Sequence, residues 1–239
     1  MNMSVLSSEE FYAKNYSYYE DAKLGKTLYM EAVNFFVADN FERGPILDVG
    51  CGDGLRALSI FGKRQLDIAG MDSCAEMLEK ARQNGISNVF HENIASPSRG
   101  MMNQFQERFG TVLCLWNVLG HIIRLEDREK AIGNMSKLLT AGGMLFVDVN
   151  NRLNVGQYGI LRSLRNGLAG IFQKEKGIFT LPINNSITRV YLSTKGKFVN
   201  LLEKNGFHVE QLVYVNYRNG KIEKSSLGGQ LLAVCRKNL

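Results

Sequence analysis

Residues 46–54 read ILDVGCGDG, and this stretch decides the fold. Apolar residues on both sides of Asp48 are typical of a strand buried in a parallel sheet, and the glycines that follow indicate a tight turn into a helix. Such a turn brings backbone N–H groups close to a ligand, with the positive end of the next helix behind them. The spacing G-x-G-x-G differs from the dinucleotide pattern G-x-G-x-x-G, which would need glycine where Leu55 stands.

The composition is that of an ordinary globular chain. It has 239 residues, of which 45% are hydrophobic and 22% are charged, and a formal net charge of +6. This length fits one α/β domain with an insertion. The mild positive charge permits an acidic partner without requiring one, because nucleic-acid binders usually cluster their basic residues on one face.

The cysteines and the apolar runs bear on the cellular compartment. The four cysteines include no C-x-x-C pair, so we expect reduced, buried thiols, with neither disulfides nor a metal site. No apolar run approaches the ~20 residues of a membrane span, and the N-terminal residues lack the apolar core of a signal peptide. We therefore expect a cytoplasmic protein without a transmembrane segment.

The glycine pattern, with an acidic residue two positions before its first glycine, resembles the first motif of class I S-adenosylmethionine-dependent methyltransferases. The resemblance covers residues 44–150, and a closing pair of apolar strands within 194–237 matches the same family more loosely. It implies an α/β fold with a doubly wound, Rossmann-like sheet of seven strands and an antiparallel last strand. It also implies S-adenosylmethionine as the cofactor; the alternative is a glycine-rich turn that binds no ligand. The motif residues predicted to contact the cofactor are Asp48, Gly50, Cys51 and Gly52.

An acidic residue, Asp72, ends the second predicted strand, at the separation from the glycine loop that a βαβ unit requires. A carboxylate there lies alongside a bound ribose and can accept two strong hydrogen bonds from its hydroxyl groups. A surface aspartate that caps the following helix is the alternative, and the two roles are compatible. Ser73 lies beside it, and Met77, one helical turn later, packs either on the adenine face or in the core.

The third predicted strand, at 88–94, ends in Asn93 and Ile94. Members of the family often carry an aspartate here, which accepts a hydrogen bond from the adenine amino group. The amide oxygen of Asn93 can accept the same bond, and the N–H of Ile94 can reach the ring. Both residues therefore belong to the predicted cofactor site, although asparagine departs from the family pattern.

The fourth predicted strand ends in Leu115, which we place beside the cofactor. Ligands of open α/β sheets bind beyond the carboxyl ends of the strands, so the next turn, WNVLGHI at 116–122, lies where methyl transfer takes place. It differs from the (Asp/Asn)-Pro-Pro-aromatic sequence of enzymes that methylate nucleic-acid bases, and it resembles the turn of small-molecule N- and O-methyltransferases. The resemblance implies that Asn117 orients the substrate and that His121 is a general base or a hydrogen-bonding group. A buried histidine bonded to backbone is the alternative.

Further candidates for acceptor binding come from three other segments. Residues 7–40 are predicted to be helical, and such a segment covers the pocket in many small-molecule methyltransferases. Residues 152–192 mix basic and apolar residues, which suits an amphipathic helix serving as a lid; a solvated face and a membrane-surface helix are the alternatives. The candidates are Tyr16 and Tyr19 from the N-terminal segment, Asn150 and Asn151 after the fifth strand, and Arg162 and Arg165 from the insert.

The sequence predicts four parts: an N-terminal cap at 1–43, a cofactor-binding core at 44–150, an inserted lid at 151–192 and the rest of the core at 193–239. It favours a methyltransferase that acts on a small-molecule N or O acceptor, as a monomer or a homodimer. One alternative is a methyltransferase of nucleic acid or protein that docks through the basic insert. The other is a nicotinamide oxidoreductase, or a nucleotide-cofactor-binding protein without methyl transfer.

Overall fold

The computed structural model describes residues 5–15, 26–64, 66–161, 163–165, 177–183 and 186–238. Its helices are α1 (Ser8–Lys14), α2 (Thr27–Asn40), α3 (Leu55–Phe61), α4 (Ala75–Gln83), α5 (Arg99–Phe105), α6 (Val118–His121), α7 (Leu125–Leu138), α8 (Val155–Tyr158) and α9 (Lys195–Lys204). Its strands are β1 (Ile46–Val49), β2 (Ile68–Asp72), β3 (Asn88–His91), β4 (Phe109–Cys114), β5 (Leu139–Val149), β6 (Ile178–Ile183), β7 (Ser186–Tyr191), β8 (Phe207–Val215), β9 (Ile222–Glu223) and β10 (Gln230–Lys237). Within these residues, every helix is too short or too polar to cross a lipid bilayer.

The central sheet contains eight strands of the described chain, in the order β3-β2-β1-β4-β5-β10-β8-β9. Strands β1 to β5 are parallel, and β10 lies antiparallel between β5 and β8. The predicted doubly wound sheet with an antiparallel last strand is confirmed, but the predicted number of seven strands is wrong by one. The additional strand is β9, whose two residues pair with the end of β8. A strand of two residues is too short to show the alternation by which strands are predicted.

The central strand β1 is packed on both faces. Leu47 and Val49 belong to a cluster that includes residues of α5, α7 and α9, whereas Ile46 packs with residues of α2 and α3 on the opposite face. All four residues of β1 are buried. A parallel sheet covered by helices on both faces requires this burial. The loop that follows β1 therefore starts from a rigid part of the molecule.

The amphipathic helix predicted for the segment that follows β5 falls mainly on residues 162 and 166–176, which lie outside the described residues. The described part of this segment contains the short helix α8 and a hairpin of β6 and β7, which is separate from the central sheet. The hairpin packs against α1 and α6. In addition, the N–H of Leu6 donates to the carbonyl of Ile187 at 2.8 Å. Residues 6–14 and the hairpin of β6 and β7 thus pack against each other, although they are far apart in the sequence.

We expect Gly229→Ala to destabilise the protein. An added Cβ would lie 2.6 Å from the carbonyl carbon of Val215 and 2.7 Å from its nitrogen and oxygen, and this backbone is held in β8. Overpacking of this kind costs about 1–3 kcal/mol, which urea unfolding measures. Gly100→Ala in α5 is the matched control, because no described atom lies within 4 Å of its added Cβ. The control should be neutral or stabilising by up to ~1 kcal/mol, and equal stability of the two variants would contradict this account.

Candidate functional site

A pocket lies at the carboxyl ends of β1, β2 and β4. All ten residues that the sequence predicts for cofactor binding line this one pocket. They are Asp48, Gly50, Cys51, Gly52, Asp72, Ser73, Met77, Asn93, Ile94 and Leu115. They come from four separate segments of the chain, so the fold, and not proximity in the sequence, brings them together.

The glycine loop after β1 has a left-handed backbone at each of its glycines. The φ angles of Gly50, Gly52 and Gly54 are 69°, 55° and 75°, a region that residues with a side chain rarely adopt. A Cβ on Gly50 would also lie 2.4 Å from a methyl carbon of Val118. The N–H of Gly50 donates to the carbonyl of Met71 at 2.7 Å, which holds the loop against β2. The loop is therefore rigid, and its glycines present backbone to the pocket.

The carboxylate of Asp72 joins the glycine loop to the start of α4. One oxygen accepts a hydrogen bond from the N–H of Gly52 at 2.9 Å, and the other accepts one from the N–H of Cys74 at 2.9 Å. Burial raises the pKa of Asp72, while the N–H groups of Cys74, Gly52 and Ser73 act in the opposite direction. The contact with Gly52 was not predicted, because it depends on how β2 lies beside the loop.

Asp48 is a second buried acid of the pocket, with 4% of its surface exposed. Burial raises its pKa from 3.8 to about 7; the positive charge of Arg56 lowers it, and the neighbouring Asp72 and Asp53 raise it further. Burial therefore favours the protonated form of Asp48 more than in an exposed aspartate. A cationic ligand in this pocket would favour its ionised form.

The exit of β3 supplies Asn93 and Ile94 to the pocket wall. The amide oxygen of Asn93 accepts a hydrogen bond from the N–H of Ala95 at 2.9 Å, which leaves its NH₂ group and a second lone pair. Ile94 is buried, and its carbonyl accepts from the side chain of Asn134 at 2.9 Å. These bonds hold the segment in place against α7.

The turn after β4 is strained and is held by one carboxylate. Trp116 and Asn117 have φ angles of 69° and 58°, which are unusual for residues other than glycine. Asp148 of β5 accepts hydrogen bonds from the N–H of Trp116 at 3.0 Å and from the N–H of Asn117 at 2.5 Å. It also accepts one from the hydroxyl of Tyr29 at 3.0 Å. The buried Asp148 therefore fixes the shape of the pocket wall that Trp116 forms.

The predicted acceptor residues Asn117, Asn150 and Asn151 do not line the pocket. The side-chain oxygen of Asn117 accepts from the N–H of Asn150 at 2.9 Å, and the side-chain oxygen of Asn150 accepts from the hydroxyl of Tyr217 at 2.5 Å. Asn151 is buried, and its NH₂ group donates to the carbonyl of Gly229 at 2.9 Å. Their contacts join β4, β5 and the loop before β10 behind the pocket.

The other predicted acceptor residues come from the N-terminal segment and the insert. Tyr16, Tyr19 and Arg162 lie outside the described residues. Arg165 is exposed and does not line the pocket. Among the described residues of the N-terminal segment, Tyr12 of α1 lines the pocket.

His121 lies in the pocket wall and contacts helix α1. The hydroxyl of Tyr12 lies 3.1 Å from its Nε2, and the two ring centroids are 5.5 Å apart. Its Nδ1 is buried and has no hydrogen-bond partner among the described residues. Burial lowers the pKa of His121 from 6.5 to about 4, so the imidazole is uncharged at neutral pH. A side chain of α1, and not backbone, therefore holds this histidine.

Arg56 and Trp116 are among the pocket residues that were not predicted from the sequence. Arg56 lies in the first turn of α3, and its guanidinium carbon is 5.3 Å from the centre of the Trp116 ring. The ammonium of Lys26 lies 5.0 Å from the centre of the same ring. An arginine after a glycine loop has the sequence pattern of an ordinary helix residue. Its burial follows only from the positions of α2 and the turn after β4.

A parallel sheet with a glycine loop after β1 and an acid at the end of β2 defines a Rossmann-like, nucleotide-cofactor-binding fold. The chain belongs to the methyltransferase domain family, whose family model matches residues 22–212. This match confirms the resemblance to class I S-adenosylmethionine-dependent methyltransferases that the glycine motif indicates.

Relatives with known names agree with this family. The chain is 31% identical over 120 residues to a glycine/sarcosine N-methyltransferase of Aphanothece halophytica, a match over 49% of this chain and 45% of the relative. It is 26% identical over 107 residues to a ubiquinone biosynthesis O-methyltransferase of Coxiella burnetii, over 45% of this chain and 44% of the relative. The chain thus spans about half the length of the relatives it matches.

A solved structure shares the fold over nearly the whole chain. It is a SAM-dependent methyltransferase of Thermotoga maritima, described as a possible histamine N-methyltransferase, with a TM-score of 0.70 and 17% identity. The similarity covers 96% of this chain and 99% of that one. At this identity the likeness establishes the fold.

We expect Asp148→Asn to destabilise the turn after β4. An amide offers one acceptor oxygen where the carboxylate accepts from three donors, so the unfolding free energy should fall by about 1.5–3 kcal/mol, the range for a hydrogen bond to a charged group. Urea unfolding measures the loss, and the near-ultraviolet circular dichroism of Trp116, the single tryptophan, reports the shape of the turn. Asp67→Asn, at an exposed position, is the matched control. If both variants are as stable as the parent, the turn does not depend on Asp148.

The depressed pKa of His121 should make the stability fall in acid. Between pH 6.5 and about 4 the unfolded chain binds a proton at this residue and the folded chain does not, so stability is lost as the pH falls through this window. His121→Asn should therefore unfold with a weaker dependence on pH than the parent between pH 7 and pH 4.5. His208→Asn, at an exposed histidine, is the control. Parallel stability curves for the parent and His121→Asn would disprove the burial of a neutral imidazole.

Proposed function

We propose that this protein is an S-adenosylmethionine-dependent methyltransferase that acts on a small-molecule N or O acceptor. The observation that carries the proposal is the convergence of all ten predicted cofactor residues on one pocket at the carboxyl ends of the strands. Membership in the methyltransferase domain family supports the same activity. A nicotinamide cofactor is disfavoured, because Leu55 stands where the dinucleotide pattern requires its last glycine.

The residues of the pocket suit the cofactor. Gly50 and Gly52 leave the backbone open toward its methionine end. Each oxygen of Asp72 accepts one backbone hydrogen bond, so lone pairs remain for the two ribose hydroxyls. Met77 and Ile94 offer apolar surface to the adenine.

Further pocket residues bear on the transfer itself. When bound, S-adenosylmethionine supplies an activated methyl group, so the protein mainly binds, orients and excludes water. The turn at Trp116, held by Asp148, forms a rigid wall on the side of the pocket where the methyl acceptor would bind. Tyr12 of α1 lines the same pocket. His121 is uncharged at neutral pH and has a buried Nδ1 without a described partner. Its imidazole can accept a hydrogen bond from the substrate that receives the methyl group. The lowered pKa makes His121 a weak base.

A small acceptor is favoured over a macromolecule. Several matching relatives carry the names of enzymes for glycine, sarcosine and ubiquinone biosynthesis, which are small-molecule activities, whereas one carries the name of a probable tRNA methyltransferase. Ser8, Glu9 and Tyr12 of α1 line the pocket and narrow its opening. Of the basic residues that the insert contributes before β6, the structure describes Arg152, which is buried, and Arg165, which is exposed.

Replacing Asp72 by Ala tests this function through the cofactor. We expect binding of S-adenosylhomocysteine to weaken by about 1.5–3 kcal/mol, because the hydrogen bonds lost are made to a charged group. Isothermal calorimetry measures the change, and NAD should give no binding to the parent protein. Asp39→Ala, at an exposed position, is the control and should bind as the parent does.

An unchanged dissociation constant in folded Asp72→Ala would remove Asp72 from the cofactor site. Binding of NAD, with no binding of S-adenosylhomocysteine, would overturn the proposed function. Asp72→Asn adds a milder variant that keeps the size of the side chain.

A further inference from the structure

The guanidinium of Arg56 is buried and forms no ion pair within the described part of the chain. Its Nε and both terminal nitrogens are inaccessible to solvent and have no hydrogen-bond partner among the described residues. The residue lines the same pocket as the glycine loop. A guanidinium carries five N–H donors, and native proteins rarely leave such a group buried and unsatisfied. The arrangement therefore suggests that a ligand supplies the missing acceptor.

The acids around Arg56 do not pair with it. Asp148 already accepts hydrogen bonds from Tyr29, Trp116 and Asn117. Asp48 is near enough for its pKa to be affected by Arg56, but the described structure contains no hydrogen bond or ion pair between them. A charge that the described residues do not pair is available to a ligand.

A second cation lies close to the first. The ammonium of Lys26 lies 5.0 Å from the centre of the Trp116 ring and 4.7 Å from that of Tyr217, and the described residues form no ion pair with it. Burial lowers the pKa of Lys26, and Asp148 acts in the opposite direction. Arg56 and Lys26 therefore both lie against the ring of Trp116.

We propose that Arg56, with Lys26 nearby, binds the carboxylate of the methyl acceptor, so that the acceptor is a small carboxylic acid such as an amino acid. The inference rests on the proposed function and names its substrate class. The planar fork of a guanidinium matches a carboxylate with two parallel hydrogen bonds. Both cations adjoin Trp116, beyond the carboxyl end of β4, where the sequence predicts methyl transfer. Neither belongs to the ten residues assigned to the cofactor.

The single tryptophan provides a direct test, because Arg56 lies against it. Acetate is titrated into the complex with S-adenosylhomocysteine while Trp116 fluorescence is recorded, with chloride at equal ionic strength and neutral acetamide as controls. We expect a saturable change with acetate alone. Arg56→Gln should weaken the response at least tenfold, Arg56→Lys should restore part of it, and the exposed Arg82→Gln should behave as the parent. Absence of a saturable acetate response, or its survival in Arg56→Gln, would overturn the proposal.

The carboxylate of the cofactor itself is the competing source. If Arg56 binds that group, acetate will bind the free protein and be displaced by S-adenosylhomocysteine, but not by its analogue without the carboxylate. Arg56→Gln would then weaken S-adenosylhomocysteine and leave the analogue unaffected. This result would overturn the assignment to the acceptor. We expect instead that Arg56→Gln changes the dissociation constant of S-adenosylhomocysteine less than twofold.

Turnover separates failure of this inference from failure of the proposed function. Labelled S-adenosylmethionine is supplied with pairs of amines that differ by one carboxylate: glycine and methylamine, histidine and histamine, phenylalanine and phenethylamine. We expect methylation of a carboxylate-bearing member, and in Arg56→Gln a KM for it raised at least tenfold. Methylation of the decarboxylated members alone would overturn the carboxylate site and leave the methyltransferase intact. A parent protein that binds no S-adenosylhomocysteine would overturn the proposed function as well.

Discussion

The buried carboxylate of Asp148 is the interaction on which the shape of the site depends. It lies in β5, yet its hydrogen bonds reach the turn after β4 and Tyr29 of α2. Three donors in a low-dielectric setting stabilise the charge, and the charge in turn holds two residues other than glycine in a left-handed backbone. Without this carboxylate the turn would not hold the Trp116 side chain in one orientation. Arg56 and Lys26 would then lose the ring against which both are packed.

The sequence was sufficient to predict those site residues that combine a suitable side chain with a position at the end of a strand. The glycine loop, Asp72, Asn93 and Leu115 each follow a strand directly, and parallel strands bring their carboxyl ends to one edge of the sheet. The cofactor side could therefore be predicted from local patterns. Asn117 also follows a strand, but its side chain turns inward to the N–H of Asn150, because the left-handed turn redirects it. Local spacing carries no information about that rotation.

What escaped prediction depends on contacts between distant segments. The hairpin of β6 and β7 was not predicted, because its two strands pair with each other and β7 is bonded to the N-terminal segment through Leu6. Arg56 has the sequence setting of a solvated helix residue, and its burial arises from packing beside Trp116. The acceptor side was thus less predictable than the cofactor side, because it depends on α1, on Arg56 and on the strained turn after β4.

The position of β10 has a consequence for biosynthesis. This strand is made after all the others, yet it lies inside the sheet, between β5 and β8. Until residues 230–237 leave the ribosome, β5 has an open hydrogen-bonding edge and β8 has no neighbour through which to join the sheet. An open edge of apolar strand is a template for aggregation. A nascent chain stalled before residue 230 would therefore be a natural client for chaperones that shield β-sheet edges.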